Sequence, residues 1–264
     1  MIKVENNVVY DEANQLTCDI YSPSDTTIAH KALIFWHGGG WIRGDKQDVK
    51  NLTTAIVAQG FTTFVPNYRL APKNTFPAAH HDAINFANWL LESKYISQET
   101  LSIAQIGASS GGTLALQLAG MFGFPTVTWS APVNFSDWLK NHSSTKPALD
   151  AKNKLGLTDQ SEINNCFYKY FTLTYAGSND WQKLTKLDAK SYNYQNLADL
   201  LMFNSAAELT PLTDVLDFID SLASQNHGVT LQIIPGDKHA MAYASQYLSA
   251  SLSYLTRSLQ KLNN

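Results

Sequence analysis

Apolar residues recur along the chain with two different spacings, and the two take turns from one end to the other. Residues 16–21 (LTCDIY) alternate apolar and polar side chains as an antiparallel edge strand does, and Pro23, Ser24 and Asp25 close the run in a turn. Residues 32–36 (ALIFW), 61–66 (FTTFVP), 101–106 (LSIAQI), 125–130 (PTVTWS), 200–204 (LLMFN) and 229–234 (VTLQII) are short, largely apolar runs of the kind that fill core strands. Helical spacing separates them: residues 48–59, stopped by Gly60, then 82–91, 113–120, and a closing helix over 243–262. Thr210 is a good N-cap and Pro211 suits a first helical position, so a further helix starts there with Leu212, Val215, Leu216, Ile219 and Leu222 as its buried stripe. Strands alternating with helices predict the α/β class.

Two of these junctions carry chemistry. Residues 106–112 read IGASSGG between a strand and a helix, and Gly107, Ala108, Ser109, Ser110 and Gly111 match GxSxG, the sharp turn that holds a nucleophilic serine clear of a sheet. Ser109 is the candidate nucleophile. The strand 32–36 runs directly into His37, Gly38, Gly39, Gly40 and Trp41, and an HGGG loop after an early strand presents N–H groups to a developing oxyanion. Gly38 and Gly39 are the expected donors, with the Ser110 N–H as third, while His37 is expected to brace the loop.

Composition narrows the partners. The 264 residues, 44% of them hydrophobic, suffice for one large core, so a single domain over 1–264 is expected. With 19 basic and 22 acidic side chains, a net charge of −3 and no basic block, neither nucleic acid nor an anionic membrane is an expected partner. No stretch approaches the ~20 apolar residues that span a bilayer, and the first residues lack the apolar core of a secretion signal, so a cytoplasmic location is expected. Cys18 and Cys166 show no metal-ligand spacing and are expected to be reduced and structural; no metal and no organic cofactor is called for.

The combination HGGGW (37–41), NYRLAP (67–72), FPAAHHDA (76–83) and GASSGG (107–112) resembles the hormone-sensitive-lipase-like esterases and related carboxylesterases of the α/β-hydrolase superfamily. The resemblance covers most of the chain from Cys18 onward and weakens between Asn134 and Leu200. It implies an eight-stranded, mostly parallel sheet flanked by helices, a helical lid inserted at about 134–196, and scaffold roles for Tyr68 and Arg69. Two departures stand out. Only 36 residues precede His37, too few for the family's full N-terminal cap, and Ala108 and Ser110 stand where many relatives have aspartate and alanine.

The resemblance also locates the remaining machinery. His239, in the loop after the strand 229–234, occupies the place of the general base. The acid belongs after residues 200–204, where a gapless overlay puts Thr210 at the family's aspartate. Glu208, in the loop before the helix, is preferred; Asp214, about 200° around that helix from Leu212, is expected to face away from the core. An unorthodox arrangement with neither stays open. The other five histidines, His30, His80, His81, His142 and His227, are expected at the surface, and two or three of the lid aromatics are expected to face substrate. The implied activity is cleavage of short-chain carboxylic esters through an acyl-enzyme on Ser109. Amide cleavage of the formamidase kind and a ligand-binding protein that has lost catalysis are the alternatives. A small-molecule ester is the expected partner, and a homodimer is left open.

Overall fold

The computed structural model describes residues 1–25, 29–96 and 102–262. Eight strands form one sheet: β1 (Ile2–Asp11), β2 (Leu16–Pro23), β3 (Ala32–Trp36), β4 (Thr62–Pro66), β5 (Ile103–Ala108), β6 (Thr126–Trp129), β7 (Leu200–Ser205) and β8 (Val229–Ile234). Their spatial order is β1-β2-β4-β3-β5-β6-β7-β8; β1, β2 and β4 pair antiparallel and all other neighbours are parallel. This is the expected eight-stranded, mostly parallel α/β-hydrolase sheet. Nine α-helices are described: α1 (Lys50–Ala58), α2 (Ala78–Glu92), α3 (Ser110–Phe122), α4 (Ser136–Asn141), α5 (Ala151–Leu155), α6 (Gln160–Ala176), α7 (Trp181–Leu187), α8 (Leu212–Ala223) and α9 (Ala244–Leu262).

Burial on both faces of the sheet explains the continuous apolar runs. Along β3, Leu33 and Phe35 join a cluster with α1 and α9, whereas Ile34 and Trp36 join Phe86 and Leu90 of α2 and Leu114 and Leu118 of α3. The buried amide of Gln105 is satisfied throughout: its Oε1 accepts from Trp36 Nε1, and its Nε2 donates to Ala115 O and Thr126 Oγ1. Parallel register brings Trp36 beside Gly107, and Ala108 beside Trp129, so the loops after β3, β5, β6, β7 and β8 leave one edge of the sheet.

Several sequence expectations are corrected. The edge strand is β1; β2 lies inside it, between β1 and β4. β1 escaped notice because its outer position leaves most of its side chains exposed and its pattern weak. Strand β5 runs on to Ala108, and the expected start at Leu101 lies outside the described residues. Helix α2 begins at Ala78, ahead of the expected Asp82. In α8, Pro211 is itself the N-cap, and Thr210 instead donates its hydroxyl to Ser130 O. The buried face is Val215, Phe218 and Leu222, while Leu216 is exposed.

Candidate active site

Ser109 caps α3 with φ 51° and ψ −126°, the strained turn that lifts its side chain off the sheet. The turn closes because its glycines carry no side chain: a Cβ on Gly107 would lie 2.4 Å from Gly111 O, and one on Gly111 would lie 2.4 Å from Trp36 O. Ser109 Oγ is 2.9 Å from His239 Nε2. His239 Nδ1 in turn bonds Glu208 Oε2, and the Glu208 carboxylate is fully buried. A carboxylate only accepts, so Nδ1 carries the proton and Nε2 is free to receive one from Ser109. The other carboxylate oxygen, Oε1, accepts the Ser205 N–H and the Ser130 hydroxyl, each at 2.7 Å.

Asp214 contacts neither His239 nor Ser109. It is half-buried beneath the segment that follows β6, where Oδ1 accepts from Asn134 Nδ2 and Oδ2 has no partner among the described residues, so it does not face solvent as expected. Burial pushes its carboxyl up to about 6.

The glycine loop crosses over the turn of Ser109. A Cβ on Gly38 would touch Ala108 O at 3.0 Å and Ser109 Cβ at 3.1 Å, which measures how closely the loop passes the serine. Gly40 N–H donates to Ser110 Oγ at 2.9 Å, whereas no acceptor among the described residues takes the N–H of Gly38 or Gly39. His37 is buried, donates Nδ1–H to Gly38 O at 2.8 Å and stacks on Tyr68 with ring centroids 4.2 Å apart. Burial lowers its pKa, consistent with a neutral brace for the loop. Tyr68 donates to His37 O, and Arg69 pairs with Asp82 at 2.6 Å, so both belong to the scaffold.

Trp41, at the end of the glycine loop, is fully buried with φ 57°. It stacks on Tyr175 of α6 at 4.5 Å and packs against Phe135 and Phe171. Gly40 lies so close to Phe171 that a Cβ there would fall 2.9 Å from the ring. Of the aromatics between β6 and β7, Phe167 and Phe171 line a cleft of about 400 Å³ together with Ser109, His239, Leu209 and Met241. Trp138, Tyr168, Tyr175 and Tyr194 instead pack the segment onto the body. His30 and His81 are exposed, but His80 is fully buried. Its Nε2 is 3.0 Å from Tyr192 Oη and its Nδ1 is 2.8 Å from Tyr175 Oη. Its sequence neighbours gave no sign of this, since both tyrosines lie about a hundred residues away.

Comparison with known proteins agrees with this fold. An ethyl acetate hydrolase of Pseudomonas putida is 25% identical over 233 residues, covering 86% of this chain and 72% of that protein. Carboxylesterase NlhH of Mycobacterium tuberculosis is 30% identical over 118 residues, 44% of this chain but only 37% of that one. Among solved structures, the Pyrobaculum calidifontis esterase aligns over 98% of this chain and 85% of its own with a TM-score of 0.74 at 19% identity. Fold and relatives define an α/β-hydrolase of the carboxylesterase type, a serine hydrolase acting on esters. The chain belongs to the BD-FAE family, whose model matches residues 18–166. That match includes Ser109 and the glycine loop and stops short of Glu208 and His239, whose assignment rests on geometry. Among the described residues no helix is long and apolar enough to cross a membrane.

Proposed function

We propose that Ser109, His239 and Glu208 form a catalytic triad that hydrolyses small carboxylic esters, with the N–H groups of Gly38, Gly39 and Ser110 as the oxyanion hole. The observation that carries this reading is the unbroken chain from Ser109 Oγ through His239 to Glu208, at the wall of the cleft. Ser109 Oγ bonds to the ester carbonyl carbon as its proton passes to His239 Nε2, and the imidazolium is held by Glu208. The carbonyl oxygen takes the negative charge opposite the glycine N–H groups. As the carbon–oxygen bond to the alcohol breaks, His239 returns the proton to the departing alkoxide, leaving the acyl group on Ser109. Water then gives a proton to His239, attacks the acyl carbon, and releases the acid while Ser109 recovers its proton.

The size of the cleft, about 400 Å³ with Phe167 and Phe171 on its wall, supports short acyl groups. Two buried free thiols, Cys18 and Cys166, support a reducing cytoplasmic setting. Covalent labelling with an organophosphonate, read by intact mass and peptide mapping, tests the reading. A single adduct on Ser109 with loss of ester turnover is expected; no adduct, or one elsewhere, overturns it.

A further inference from the structure

We infer that Ser130 is a positioning residue that fixes the acid and the base-bearing loop through a single hydroxyl, an inference that rests on the triad reading above. Ser130 directly follows β6, is fully buried and adopts φ 54°, a conformation that costs a non-glycine residue stability. Its backbone is pinned at both ends: the N–H donates to Phe203 O at 2.8 Å, and the carbonyl accepts from Thr210 Oγ1 at 3.1 Å. The side chain is committed at every valence. Its one proton goes to Glu208 Oε1, which can only accept, so the lone pairs of Oγ receive Ala240 N–H at 2.9 Å and the Tyr243 hydroxyl at 2.7 Å.

Ala240 follows His239 in the chain. One oxygen atom therefore holds the carboxylate that orients the imidazole and also the backbone that carries it. Without that oxygen, Glu208 Oε1 keeps only the Ser205 N–H and can turn about its last torsion, while the His239 loop loses an anchor. Ser130 does not line the cleft, so the loss falls on the chemical step and spares substrate binding. The left-handed backbone supplies a control. Ser130→Ala removes the hydroxyl and keeps the strain, whereas Ser130→Gly removes the hydroxyl and relieves the strain.

The test measures kcat and KM on p-nitrophenyl acetate, with thermal melts, for Ser130→Ala and Ser130→Gly in the wild-type and in the Glu208→Gln background. Both variants are expected to lose about 10- to 100-fold in kcat with KM within about twofold, the usual effect of removing a supporting hydrogen bond. In the Glu208→Gln background the same substitutions should cost less than about threefold, because groups acting as one unit are not additive. Ser130→Gly should be at least as stable as Ser130→Ala and equally slow. A glycine variant at the wild-type rate would overturn the role of the hydroxyl, and equal losses in both backgrounds would overturn its action through Glu208. Wild-type turnover by Glu208→Gln alone would instead overturn the triad reading.

Discussion

The N–H of Gly40 donates to Ser110 Oγ across 70 residues of sequence, at 2.9 Å and out of contact with solvent. This bond fastens the glycine loop to the first turn of α3, the same turn whose backbone presents the Ser110 N–H. Ser110 thus clasps the two halves of the proposed oxyanion hole.

Ser110→Ala leaves a buried Gly40 N–H without its acceptor, which costs about 1–3 kcal/mol. A lowered melting temperature is expected, together with a several-fold fall in kcat at unchanged KM as the loop loosens. Full stability and full kcat in this variant would show that the clasp is dispensable.

Gly38→Ala tests how closely the loop must pass the nucleophile. Its Cβ would press on Ala108 O and Ser109 Cβ at 3.0 and 3.1 Å, pushing loop and serine apart. The expected loss is on the order of 10²–10³ in kcat, that of one oxyanion donor. Gly39 is a poorer probe, because at φ +121° a side chain there would lie 2.0 Å from Arg43 O and break the turn itself. Turnover by Gly38→Ala within threefold of wild type would remove the loop from the proposed mechanism.

Asp214→Asn separates the second carboxylate from catalysis. Because Asp214 has no contact with His239, its kcat should stay within a few-fold of wild type. Its stability should change with pH. With the folded carboxyl at about 6 and the unfolded one near the ordinary 3.8, the folded state binds more protons between those values, so wild type loses stability as pH rises from 4 to 6. Asp214→Asn should therefore melt higher than wild type at pH 7–8, by about 1–2 kcal/mol after allowance for partial solvent exposure, and the gain should vanish below pH 4. Melting curves at pH 4 and pH 8 decide it.

His80 works in the opposite sense. Tyr192 gives its own proton to Leu187 O, so His80 Nε2–H donates to Tyr192 and Nδ1 accepts from Tyr175. Burial pulls the imidazole down to about 3 from an ordinary 6.5. The unfolded chain binds the extra proton first, so this contribution is whole above pH 6.5 and is lost as pH falls toward 3, at about 1.4 kcal/mol per pH unit. His80→Gln keeps a donor and an acceptor without titrating, and should flatten stability between pH 6 and 4. An unchanged slope would show that His80 is not the group responsible.

What could be read in advance follows from locality. Ser109 and the HGGG loop announce themselves because tight crossing of two backbones demands glycine at adjacent positions, and His239 because the proposed base is expected just after the last strand, whereas for the acid the sequence only preferred Glu208 over Asp214 and left neither as an option. The parallel core strands were legible for the same reason, since burial on both faces writes an unbroken apolar run. Contacts made across the fold left no such mark. Ser130 is one serine at a strand end until Glu208 and Ala240 arrive from 78 and 110 residues away. Asp214 was placed on a helical wheel that ignored the cover: Asn134 comes from the segment after β6 and shields the face that α8 alone would leave open.

The stacking of Trp41 on Tyr175 binds the cover of the cleft to the loop that would bear the reaction's charge. If that cover swung away it would draw the proposed oxyanion donors with it, so turnover should run with the cover in place and need no opened, activated form. Its turnover should accordingly rise hyperbolically with dissolved ester, without a lag and without a jump when the substrate passes its solubility limit and an oil surface appears.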